Sequence, residues 1–113
     1  MKEIKAIIRP AKLLEVTEEL HAIEGLPGVT VSEIRGFGKG RAGNAPDKVI
    51  YEMVEFMPRI QLEVVVNDEM VEDVVNAIQR HARTGNAGDG KIFVSTVDEV
   101  VKIRTNQRGR DAI

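Results

Sequence analysis

The feature that most constrains this chain is the order of its apolar periods: strand, helix and strand, a long gap, then strand, helix and strand. Residues 3–9 alternate, with Ile4, Ala6 and Ile8 set against Lys5, Ile7 and Arg9, which is the two-residue period of a strand. Pro10 ends that run. Leu13, Val16, Leu20 and Ile23 then recur at helical spacing, with Glu15, Glu18 and Glu19 on other faces. Gly25 is placed to stop the helix and Gly28 to turn the chain. Residues 29–35 are rich in β-branched side chains and read as a second strand.

The second half repeats the order. Ile60, Leu62, Val64 and Val66 alternate with Gln61 and Glu63. Asn67 and Asp68 are candidate caps for a helix whose apolar stripe is Val71, Val74, Val75, Ile78 and Ala82. A glycine-rich loop follows, then a strand over residues 92–97, and residues 100–104 are expected to add one more short strand. Two interleaved βαβ units predict an α+β, ferredoxin-like βαββαβ sandwich with both helices on one sheet face. The whole chain, residues 1–113, is expected to be a single domain, with a long loop at 38–58 between the second and third strands. The uncovered face would carry Ile7, Ile34 and Val65, and an apolar face of that kind predicts oligomerisation.

Composition removes several function classes. With 42% hydrophobic and 30% charged residues the chain is an ordinary globular one, and its net charge of -2 gives no footprint for nucleic acid. Three Phe and one Tyr are too few for an RNA-recognition sheet of this shape, which stacks bases on strand aromatics. There is no cysteine, so disulfides, thiolate metal sites and cysteine nucleophiles are excluded. His21 and His81 lack acidic partners at metal-ligand spacing, and a dipole-facing surface role is expected for His81. No catalytic and no metal residue is assigned. The start has no signal-peptide pattern and no run approaches a bilayer span, so a cytoplasmic location without membrane insertion is expected.

Three segments can carry chemistry. Gly85, Gly88, Gly90 and Lys91 match the spacing G-x-x-x-x-G-K, in which glycines admit backbone N–H groups to phosphate oxygens. Ile92 stands where a P-loop needs a magnesium-binding hydroxyl, and the order is helix to strand rather than strand to helix. That excludes a P-loop NTPase and leaves phosphate binding and a plain glycine-rich turn level. Lys102 and Arg104, two apart on the expected last strand, would leave one face. Beside the glycine loop they would join Lys91 in a cluster suited to polyphosphate; elsewhere they are solvated edge charges. Residues 38–58 are too many for an ordinary hairpin and read as a functional loop. Its early part is glycine-rich and charged, and residues 49–57 are apolar enough to extend a strand or dock on a partner.

On these pieces the chain resembles the PII nitrogen-regulatory family over essentially its whole length. The resemblance is carried by residues 2–10, by Gly36, Phe37 and Gly38, and by the runs at 53–58, 82–85, 88–94 and 102–105. It implies a non-enzymatic homotrimer with ATP or ADP bound in clefts between subunits, magnesium alongside ATP, and a protruding T-loop at 38–58. That loop would control a membrane transporter or metabolic enzyme. By position, it implies nucleotide contacts from Thr30, Gly36, Phe37, Gly38, Val65, Gly88, Asp89, Gly90 and Lys91, with Lys102 and Arg104 from the adjoining subunit. Lys39, Arg41, Asp47, Tyr51 and Glu52 would face the partner.

The chain departs from the family at its T-loop, as a divergent member would. Gly40 stands where a glutamine helps hold magnesium and 2-oxoglutarate, and Arg59 replaces a lysine that pairs with that ligand's carboxylate. Binding of 2-oxoglutarate is therefore expected to be poor. Glu52 occupies the place of the modifiable tyrosine, with Tyr51 one residue early, and the loop has no serine or threonine. Competing readings are a nucleotide sensor linked to carbon or bicarbonate rather than nitrogen, a slow ATPase using Lys91, and a trimeric metal-tolerance protein. The last is weakened by the lack of cysteine and the scarcity of histidine.

Overall fold

A computed structural model describes residues 1–38 and 56–113. Strand β1 (Lys2–Ile8) leads through a 3-10 turn (Pro10–Lys12) into helix α1 (Leu13–His21). Strand β2 (Thr30–Gly36) follows, and after the undescribed residues come β3 (Met57–Val66), a second 3-10 turn (Asp68–Met70), α2 (Val71–Ala82) and β4 (Lys91–Thr96). The sheet order is β2-β3-β1-β4, with every neighbouring pair antiparallel. This is the interleaved βαββαβ arrangement expected from the sequence.

The alternation read from sequence sets the core. Ile4, Ala6 and Ile8 of β1 lie opposite Val64, Leu62 and Ile60 of β3, and all six are buried. Val16 and Leu20 of α1 and Val74, Ile78 and Ala82 of α2 close over them. The two helices are also tied by His81, whose Nδ1 lies 3.1 Å from Glu15 and whose Nε2 lies 3.5 Å from Glu19. His81 thus sits in the last turn of α2 at the surface, as expected from the sequence, and in addition bridges the two helices.

The opposite sheet face differs from expectation in character. Ile7, Ile34 and Val65 do lie on it, half-buried. Between them sit Glu3, Lys5, Gln61 and Glu63, with Lys5 directly opposite Glu63 and the Gln61 amide donating to the Glu63 carboxylate. The face is mixed: charged residues lie between Ile7, Ile34 and Val65, and Phe93 of β4 stands half exposed beside Lys5, an apolar surface that a partner would cover.

Two local expectations are corrected. Asn67 and Asp68 make no side-chain cap to the helix; the Asp68 carboxylate instead accepts from the Met1 amino group at 2.9 Å, which holds it below the usual carboxylate range. Residues 100–104 are not a strand. Val101 makes one isolated bridge to Arg108, and the chain turns between them, with Thr105 N and Asn106 N both donating to Lys102 O. Asn106 has φ 61°, a left-handed value that asparagine tolerates better than most residues. The β-branched run gave the strand signal, and the turn chemistry after it prevailed.

Candidate functional site: a latched glycine loop at one end of the sheet

Strand register decides which charged groups meet. Ile8 pairs with Ile60 and Ile7 with Lys91, so Arg9, Arg59 and Lys91 all gather at one end of the sheet. The glycine loop folds over that end. A Cβ built on Gly88 would lie 3.2 Å from Arg9 Nη2 and 3.4 Å from Arg59 Nη2, which places both guanidiniums beside the loop backbone. Arg59 also donates to Pro58 O at 2.8 Å. Under the loop, against the C-terminal end of α2, is a cleft of about 340 Å³ whose lining includes Ile8, Ile78, Arg83, Gly90 and Lys91.

Asp89 organises the loop from inside. Its carboxylate accepts from Thr84 N–H at 2.9 Å, Gly85 N–H at 2.8 Å, the Thr84 hydroxyl and Arg9 Nε at 3.1 Å. These bonds, the Thr84 hydroxyl first among them, hold its pKa well below the ordinary carboxylate value of 3.8. The group is therefore charged throughout the neutral range. Arg9 also donates from Nη2 to Ala87 O at 2.7 Å. Arg9 and Thr84 lie in the runs at 2–10 and 82–85 that carry the family resemblance, but the sequence assigned neither a role. Only the register across β1, β3 and the loop reveals the partners of Arg9.

Gly90 marks the closest approach of loop and sheet. It has φ +98°, and an added Cβ would fall 1.7 Å from Ile7 O. No side chain fits there, so glycine at this position is a steric requirement.

The sequence-derived residues divide between the two ends of the sheet. Gly36, Phe37, Gly38, Arg59, Gly88, Asp89, Gly90 and Lys91 lie at the end just described. Phe37 stacks edge-on against Phe56, ring centroids 5.3 Å apart at 62°, where the undescribed segment leaves and returns. Val65 lies toward the other end, pairing with Glu3, and Thr30 lies between the two ends, pairing with Glu63 level with Lys5 and Phe93.

The turn carrying Lys102 and Arg104 is rooted at that other end as well. Val97 N donates to Met1 O, Gly109 N donates to Val100 O, and Arg110 pairs with Glu69 at the start of the α2 turn. The β1–β4 register from Thr96 to Lys91 separates the two ends by about 17 Å at 3.4 Å per residue. Lys102 and Arg104 therefore do not share a strand face, and among the described residues no hydrogen bond or ion pair joins them to Lys91 or the glycine loop. Lys39, Gly40, Arg41, Asp47, Tyr51 and Glu52 lie outside the described residues.

Among the described residues no group of three His, Cys, Asp or Glu side chains is placed to hold a metal ion, and no helix is long and apolar enough to cross a membrane.

This chain is similar to known regulatory proteins along its length. The family model described as nitrogen regulatory protein P-II matches residues 1–107. Proteins named nitrogen regulatory protein P-II from Azospirillum brasilense and Rhodospirillum rubrum are 49% and 48% identical over 113 residues, covering all of both chains. One of the same name from Pasteurella multocida is 45% identical over the same span. With its interleaved sheet and glycine loop on the page, and with these full-length likenesses, the chain belongs to the nitrogen regulatory protein P-II family.

Proposed function

We propose that this protein is a non-enzymatic sensor of adenine nucleotides that acts on a partner protein through residues 38–58, and that its nucleotide site is completed between copies of the chain. The observation that supports this reading is the division of the site. Lys91 and the glycine loop stand at one end of the sheet, and the turn carrying Lys102 and Arg104 is rooted at the other. One chain thus carries two half-sites rooted at opposite ends of its sheet. A closed ring of identical copies lets the loop of one meet the basic turn of the next, and three copies form the trimer that the family resemblance implies. The assembled site would set three cations and the glycine-loop backbone around a polyphosphate. The partner is a transporter or metabolic enzyme, and the setting is cytoplasmic.

Calorimetry with ADP and MgATP on Lys91→Ala and Arg104→Ala tests the site. Each lost charge-assisted contact is expected to cost about 1.5–3 kcal/mol, or roughly ten- to a hundred-fold in affinity. Unchanged affinity in both variants would reject it.

The same reading makes 2-oxoglutarate a poor ligand. Magnesium needs six oxygen ligands in near-ideal geometry, and Gly40 has no side chain to offer one. Arg59 already gives one N–H to Pro58 O, and its planar fork differs from an ammonium. Titration of 2-oxoglutarate into MgATP-saturated protein is expected to show no micromolar binding; finding it would show that the backbone or water replaces the missing ligand.

A further inference from the structure

We propose that Asp89 is a positioning residue, whose carboxylate, fixed by Arg9, holds the loop so that its N–H groups turn outward to a ligand's phosphate. The proposal rests on the nucleotide reading above and names the device that prepares its loop. An ionised carboxylate offers about four acceptor positions. Here Thr84 N–H, Gly85 N–H, the Thr84 hydroxyl and Arg9 Nε take them. With those four donors in place its acceptor positions are filled, so Asp89 serves the loop itself.

The rest of the loop follows from those bonds. The Thr84 hydroxyl oxygen accepts from Asn86 N–H at 3.1 Å, which fixes the first half of the turn. Arg9 Nη2 draws the Ala87 carbonyl toward the sheet at 2.7 Å. In a planar trans peptide the carbonyl and the next N–H point in opposite directions, so the Gly88 N–H is turned away from the guanidinium. Among the described residues neither the Ala87 nor the Gly88 N–H has a backbone partner. Gly88 and Gly90, at φ +97° and +98°, take backbone conformations that glycine adopts freely and other residues rarely do. Three glycines in this loop would otherwise lose much conformational freedom on meeting a ligand. The latch imposes that order beforehand, and preorganisation of this kind appears as affinity.

Asp89→Asn keeps the shape and removes the charge, and Thr84→Val removes the hydroxyl. Both are compared with the parent chain by calorimetry with ADP and with adenosine, and by amide hydrogen exchange without ligand. The expected result is roughly a tenfold loss for ADP, little change for adenosine, and faster exchange at the Thr84 and Gly85 amides while the strands keep their protection. Unchanged ADP affinity, equal losses for ADP and adenosine, or unaltered exchange at those two amides would each overturn the proposal. Failure of the parent chain to bind ADP would instead remove the nucleotide reading and with it the phosphate role. The exchange data would then still decide whether Asp89 orders the loop.

Discussion

Gly90→Ala is expected to lower the unfolding midpoint by roughly 10 °C or more in a domain of this size. A side chain at this φ costs about 1–2 kcal/mol by itself. The steric conflict is larger: the added Cβ would stand 1.7 Å from Ile7 O, a backbone atom that cannot swing aside. Either the loop lifts from the sheet or the β1–β4 pairing at Ile7 and Lys91 opens. Both routes displace Lys91, so nucleotide affinity is expected to fall together with stability. The combined penalty should be about 3 kcal/mol or more. Gly28→Ala is the matched control, because nothing lies within 4 Å of its added Cβ; its effect should stay within about 0.5 kcal/mol. Thermal unfolding of both variants at one protein concentration makes the comparison. Equal midpoints for the two would mean that the loop is not pressed against β1.

Leu62→Ala is expected to destabilise the protein by about 2–5 kcal/mol, the sum of lost apolar transfer and the cavity left behind. Leu62 is 1% exposed and lies in β3, an interior strand, between Val31 of β2 and Ala6 of β1. Ala6 is too small to fill the space and its strand is held on both sides, so relaxation into the cavity is limited. Denaturant unfolding should show a lower midpoint with an unchanged slope. A loss below about 1 kcal/mol would mean that this layer repacks freely.

The fold was legible because burial follows backbone period. Ile4, Ala6 and Ile8, and Ile60 through Val66 at every second residue, are buried as their alternation required. Val16, Leu20, Val74 and Ile78 are buried as helical spacing required. The site was legible only in parts. The three glycines and Lys91 announce themselves, since their chemistry is local. Arg9 does not, because its partners Ala87 and Asp89 are about eighty residues away, and only the register brings them together. His81 was placed by helix position alone, and its bond to Glu15 depends on how α1 and α2 pack.

The run from Val100 to Arg104 shows the reverse error. Its β-branched residues favour extension, yet Lys102 O accepts two turn bonds, and Asn106 takes the left-handed conformation that closes them. That turn moves Lys102 and Arg104 off a shared strand face. The turn is rooted at the end of the sheet opposite the glycine loop.

The central claim, that two copies of the chain build each nucleotide site, is tested most directly by subunit complementation. Lys91→Ala removes the loop cation and Arg104→Ala removes the turn cation, so neither protein alone should bind ADP well. Unfolding and refolding an equal mixture produces mixed rings, in which some sites join an intact loop from one chain to an intact turn from the next. With random assembly about one site in four is fully restored. Calorimetry of the mixture should therefore show parental affinity for ADP at about a quarter of the sites. No recovery of high-affinity binding in mixed oligomers confirmed by mass would contradict the account.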